Sequence, residues 1–205
     1  MNRHLACSRY CQWLFLAPLV LFAGCSLDLE NPLSDPEKAK PDEKLIGKWV
    51  EDPDGRETFT VEKMTSPGYP PGVMKLILAR PPESDQIGLI FCTELNGKTY
   101  VHHCGRAVTD PKQLLPWDKM RTQGFGVLKY SAKKDKVTIW TVADETVLEN
   151  AVKNGKLKGT VRKRGSFDFG PAVKVTDTSA KLAEFVMNND VKIFWGREMV
   201  LRRAK

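Results

Sequence analysis

His102-His103-Cys104 is the place in this sequence where metal-ligating and nucleophilic side chains stand together. Ion binding and thiol or imidazole catalysis are the chemistries such residues offer. Spacing limits both. On a strand, adjacent side chains point to opposite faces, so His102 and His103 cannot grip one ion. His102 and Cys104 share a face and supply two ligands, where a structural zinc site needs four and a catalytic one three plus water. No second Cys/His pair with ligand spacing exists. The reading is therefore structural histidines, with no metal and no cofactor, and an enzyme using His102 or Cys104 is the weakest functional reading. Asp52 and Asp54 are close carboxylates, but they sit in a turn, where Asp serves local hydrogen bonding. The chain holds no Gly-x-Ser-x-Gly, no phosphate-cradling Gly-x-x-x-x-Gly-Lys and no Gly-x-Gly-x-x-Gly. A basic run, Lys153, Lys156, Lys158, Arg162, Lys163 and Arg164, is uninterrupted by acid from 151 to 167. It is either a patch for phosphate-bearing headgroups or another anionic envelope polymer, or a solvated edge that discourages strand pairing.

The elements that must position these residues are mostly strands. Leu45–Val50 and Glu57–Glu62 flank the turn Asp52-Pro53-Asp54-Gly55, and the second alternates with period two. Residues 73–79 read as a third strand. Ile87–Leu95 and Lys98–Cys104 form a hairpin around Asn96-Gly97, the strongest short hairpin signal. That two-residue loop makes paired positions sum to 193, setting Cys92 opposite Val101 and Cys104 opposite Leu89. The two cysteines then lie on opposite faces, about 10 Å apart at strand rise, beyond disulfide reach. Strands follow at 126–131 and 136–142, and at 191–195 and 198–203 around Gly196. Helices are expected at 144–154, with Gly155 past its end, and at 178–188, capped by Asp177 or Thr178. Trp117, Phe125, Trp140, Phe194 and Trp195 either line a ligand cavity or pack a core. The Pro/Gly-rich loop 66–72 holds Tyr69 as a contact residue or as part of a plain connection.

The chain of 205 residues is 41% apolar and 28% charged, which excludes a disordered chain and a multi-pass membrane protein. Its first 12 residues carry Arg3 and Arg9 and no acid, and 12 apolar residues, 13–24, follow. A spanning helix needs about 20, so this is a secretory signal. Its end, Leu21-Phe22-Ala23-Gly24-Cys25, resembles the lipobox of bacterial lipoproteins. The resemblance implies lipid on the Cys25 sulfur and cleavage between Gly24 and Cys25, with Phe22 where Leu is commoner. Ser26, in place of Asp, implies an outer-membrane address facing the periplasm in an organism with two membranes. Residues 26–44 hold three prolines, six acids and three lysines. They read as a flexible tether, the alternative being an arm packed on the domain.

Nine or ten short strands argue for an antiparallel barrel or a curled sheet, mainly β, with two short helices in the C-terminal half. Gly47-x-Trp49 on the first strand resembles the opening motif of lipocalin-like barrels. In those, the Trp closes one end and a basic residue of the last strand packs over it, a role implied here for Arg202, with Arg203 beside it. The expected organisation is a signal peptide at 1–24, a tether at 25–44 and a lipocalin-like domain at 45–205. That domain carries 27 bases and 19 acids. The functional expectation is a lipid-anchored envelope protein with a non-catalytic module for an amphiphile or envelope component. A structural or assembly accessory acting through protein contacts is the alternative. Export removes nucleic acid from the expected partners.

Overall fold

The computed structural model describes residues 28–53, 55–143, 145–162 and 173–205. Gly24 and Cys25, Asp54, Lys163 and Arg164 lie outside the described residues. The described chain opens with a two-residue strand, β1 (Asp28–Leu29), and then builds a closed barrel of eight antiparallel strands. Seven run up and down in sequence: β2 (Gly47–Asp52), β3 (Thr58–Lys63), β4 (Met74–Ala79), β5 (Gln86–Leu95), β6 (Lys98–Val108), β7 (Phe125–Lys133) and β8 (Lys136–Trp140). The eighth, β11 (Glu198–Arg203), pairs with β8 on one side and β2 on the other. Between β8 and β11 come α2 (Thr146–Lys153), β9 (Gly159–Val161), β10 (Val173–Val175) and α3 (Ser179–Ile193); one turn of helix, α1 (Trp117–Met120), precedes β7. The strands β1, β10 and β9 form a short extension beside β7.

The period-two pattern fixes what faces the barrel interior. Trp49, Phe59, Val61, Ile90, Val137 and Leu201 point inward and form one buried cluster. The strands β5, β6 and β7 are apolar on their outer side as well. Leu89, Phe91, Tyr100, Cys104, Phe125 and Val127 there form a second cluster with Leu148 of α2, and with Leu182, Val186 and Ile193 of α3. Helices cover the middle of this outer face, and the strands are exposed only toward their ends, at Glu94, Arg106, Ser131 and Lys133.

The Asn96-Gly97 hairpin has the register its loop dictates: Leu95 pairs with Lys98, Cys92 with Val101 and Leu89 with Cys104. Asn96 and Gly97 both take positive φ, as such a loop requires. The bulge in this ladder, between Ile87 and Leu89, falls beyond both cysteines.

Three expectations need correction. Residues 28–44 are not a free tether but an arm bound to the barrel. Leu29 and Leu33 are buried in the outer core. Asn31 donates to the Asp177 carbonyl (3.0 Å), Ser34 and Thr93 share a hydrogen bond (2.6 Å), and the Tyr130 hydroxyl donates to Asp42 (2.7 Å). Burial of the two leucines, about 1.5–3 kcal/mol each, and the three bonds work against the ordering cost of a segment with no periodicity. Residues 191–195 are not a strand: α3 continues to Ile193, and Phe194 caps it by donating its backbone N–H to the Asp190 carbonyl. A charged residue, Asp190, occupies the buried face at that point and breaks the apolar period. The described helices are three rather than two, since Trp117–Met120 forms a further turn.

Candidate functional site

At one end of the barrel Trp49 lies almost fully buried, its indole N–H donating to the Leu45 carbonyl at 2.7 Å. The Arg203 guanidinium sits over the indole at 4.4 Å from the ring centroid. The covering residue is thus Arg203 and not Arg202. Alternation along β11 turns Arg202 to the other face, where its Nε donates to Asp52 at 2.7 Å. Gly47 makes the arrangement sterically possible. It has φ +130°, and a Cβ there would stand 2.6 Å from Arg203 Nη1. From this position Arg203 also reaches the Ile46 carbonyl at 3.3 Å. Gly47→Ala is expected to destabilise by about 1–3 kcal/mol, through positive φ and the clash. In urea melts the double variant Gly47→Ala/Arg203→Ala should lose less than the two single losses summed, because removing the guanidinium relieves the clash.

Above Trp49 the interior holds a small apolar cavity of about 80 Å³, bounded by Phe59, Val61, Ile90, Val137, Tyr130 and Leu201 among others. A cavity of about 150 Å³ takes benzene, so this space does not house an acyl chain. The larger opening is a cleft of about 490 Å³ between the arm and the β5–β6 hairpin. It is bounded by Lys38, Lys40, Asp42 and Lys44 of the arm and by Cys92, Glu94 and Tyr130 of the barrel. Its volume is in the range of small-molecule sites. Both acids and bases line it, so it suits a polar or zwitterionic group.

At the opposite rim Glu57 is buried, and Arg80 grips its Oε1 at 2.6 and 2.7 Å. Burial pushes the Glu57 carboxyl above its ordinary range, and the Arg80 charge opposes that only in part.

The His-His-Cys motif divides as a strand requires. His102 faces outward and is fully buried, stacked on Phe91 at 4.6 Å between centroids and edge-on to Phe125 at 6.5 Å. Neither ring nitrogen makes a hydrogen bond of good geometry. Burial, and next the neighbouring His103, lower its pKa to about 3. His103 faces the barrel interior, where its ring lies against Gly126; a Cβ on that residue would overlap it. Burial lowers its pKa to about 4, partly opposed by a hydrogen bond with the Gly105 backbone. Burial pushes the Cys104 thiol well up, and the Cys92 thiol up to about 12. Cys92 belongs to the barrel interior and Cys104 to the outer core; both are free. At neutral pH these are uncharged imidazoles and protonated thiols, and His102 and Cys104 line neither the cavity nor the cleft. Among the described residues no three His, Cys, Asp or Glu side chains converge as an ion site.

Four of the five aromatic residues pack in or against the outer core. Trp117, Phe125 and Phe194 are buried in the outer core with Trp140 against it, and Trp195 is 64% exposed. Tyr69 donates to the Leu115 carbonyl at 2.8 Å and so ties its loop down. In the basic run, Lys153 pairs with Glu149 one turn back, while Lys156 and Lys158 just before β9 and Arg162 just after it are exposed.

Sequence reasoning missed the arm's contribution to the cleft and the role of Asp190. The arm's apolar residues are isolated, and a lone acid on a helix carries no local sign of burial. Fold and site together define a lipocalin-like barrel with a nearly filled interior and a cleft at its rim. No protein-family model, curated protein or solved structure significantly matches the chain.

Proposed function

We propose that this chain is a lipid-anchored cell-envelope protein, held by Cys25, whose barrel is a non-catalytic binding module for an amphiphile or other envelope component. The observation that carries the anchor is the basic start, 12 apolar residues and Ala23-Gly24-Cys25 at the end of the run. Two acyl chains anchor stably where one is marginal. The observation that favours binding at the rim is the contrast between the cavity of about 80 Å³ and the cleft of about 490 Å³. On this reading an amphiphile places its polar head between the arm and the β5–β6 hairpin and leaves its chain outside the barrel. A second reading, an accessory acting through protein contacts, is favoured by Val191 and Trp195, which are 75% and 64% exposed.

Cys25→Ala is expected to abolish incorporation of labelled fatty acid and to move the domain from the membrane fraction to the soluble one. A Cys25→Ala protein that still carries lipid would sink the anchor reading. Native mass spectrometry of the detergent-extracted wild type separates the two functional readings. A co-purifying small amphiphile supports the binding module, and a stoichiometric protein partner supports the accessory.

A further inference from the structure

The arm sets where an anchor can hold the domain. Cys25 precedes Asp28 by three residues, and three residues of fully extended chain span about 11 Å. Asp28 is fixed in the fold: it pairs with Lys174 of β10, and Leu29 pairs with Phe125 of β7. Since β1 runs parallel to β10, the chain arrives from the end of the extension where Val173 pairs with Val161, and Arg162 follows directly. Lys174 and Arg162 both act electrostatically on the Asp28 carboxylate. The edge strand β9 stands two strand spacings from β1, about 10 Å. The point of attachment and the basic edge therefore fall on one side of the molecule.

That side has a charge suited to a membrane surface. Arg162 and Lys174 are exposed there, and Lys156 and Lys158 are exposed where the chain enters β9 at its other end. The acids nearest them are Asp28, Glu30, which lies 3.7 Å from Lys174, and the buried Asp177, which accepts from the Lys158 backbone N–H at 2.8 Å. Each base near an anionic bilayer contributes about 1 kcal/mol, decaying within a Debye length. A reach of about 11 Å is close to the Debye length at physiological salt, about 8 Å. A long tether would leave these charges screened.

We infer that the β1–β10–β9 edge lies against the membrane, with its bases among anionic lipid headgroups; this rests on the Cys25 anchor proposed above. The opposite end of the barrel, at the β7–β8 turn, then faces away. The nine residues of β7 place that turn about 30 Å from the Leu29–Phe125 pair.

The test uses full-length lipidated protein in vesicles of phosphatidylcholine and phosphatidylglycerol in roughly equal parts, with headgroup-spin-labelled lipid as quencher. A fluorophore is attached at Thr160→Cys on β9 or at Lys134→Cys in the β7–β8 turn, both exposed positions. Quenching at Thr160 is expected to exceed that at Lys134 severalfold. Arg162→Glu with Lys174→Glu, or phosphatidylcholine alone, should reduce the difference at least twofold. Equal quenching at the two positions, or a difference indifferent to both changes, overturns the inference. Intact mass of the same sample separates this from failure of the anchor. Lipidated protein with equal quenching overturns the orientation alone, whereas vesicle-bound protein without lipid on Cys25 overturns the anchor and the orientation with it.

Discussion

Asp190→Ala is expected to cost the fold about 3–5 kcal/mol. Asp190 is buried on α3 against the barrel wall. Its Oδ2 accepts from Lys129 at 2.6 Å and Lys98 at 2.9 Å, and its Oδ1 accepts from the Tyr100 hydroxyl at 2.8 Å. Burial works to raise its pKa, but the hydrogen bonds from Lys129, Lys98 and Tyr100 outweigh it and hold the carboxyl below the ordinary range. The same acid locks α3 onto β6 and β7, so its removal strands three donors together. Tyr100 is fully buried and has no route to water, and Lys129 is only 21% exposed at its side chain. Lys98, at 42%, swings out to solvent, which places the loss toward the lower end of the range. Asp190→Asn keeps acceptor capacity and should lose less. Urea melts at pH 7 read the effect as a fall in midpoint at unchanged slope; a loss under about 1 kcal/mol would show that the network contributes no net stability. The lowered pKa adds a pH signature. This stability is fully present above the unfolded carboxylate pKa and is lost as pH falls through the folded one.

Acid sensitivity at a milder pH is the second large effect, and it comes from the histidines. Both are buried neutral, with folded pKa values of about 3 for His102 and about 4 for His103 against 6.5 for the free side chain. Between pH 6.5 and 4 the unfolded chain binds protons that the folded one refuses, so stability falls as pH falls. Each histidine contributes at most about 1.4 kcal/mol per pH unit in this window. Two together move the unfolding equilibrium up to about a hundredfold per unit. Glu57 and Asp28, raised by burial, act with the opposite sign near the lower end of the window, so the steepest slope is expected between pH 6.5 and 5. His102→Phe should halve that slope. It should also hold or raise stability at pH 7, because it puts carbon in an aromatic stack in place of two buried ring nitrogens that lack a hydrogen bond of good geometry. Stability measured by urea at pH 7, 6 and 5 checks both statements. A flat profile in the wild type, or an unchanged slope in His102→Phe, would mean that water or a rearranged pocket solvates the ring.

Much of the barrel was legible because its signals are local. Alternation in Glu57–Glu62 and the Asn96-Gly97 loop each depend on a few neighbouring residues, and the hairpin register follows from loop length alone. The aromatic of Gly47-x-Trp49 was legible in the same way, but its partner was not. Arg202 and Arg203 are adjacent bases, and only the phase of β11 against β2, where Arg203 pairs with Trp49, decides which one covers the ring.

The candidate site was less legible. The rim cleft joins Lys38–Lys44 to Cys92 and Tyr130, and no pattern within either segment announces the other. The address of the protein is the opposite case. The proposed signal, the lipobox-like stretch and the basic run each rest on a short stretch of sequence, so the amino-acid sequence carries those expectations by itself. Tertiary structure decided the rest: that residues 28–44 pack instead of trailing free, that α3 runs through Asp190, and that the barrel interior is nearly filled. The physical reason is shared. Each depends on contacts between residues far apart in the chain, and burial of a lone leucine or a lone aspartate is a property of the surface that covers it, not of its sequence neighbours.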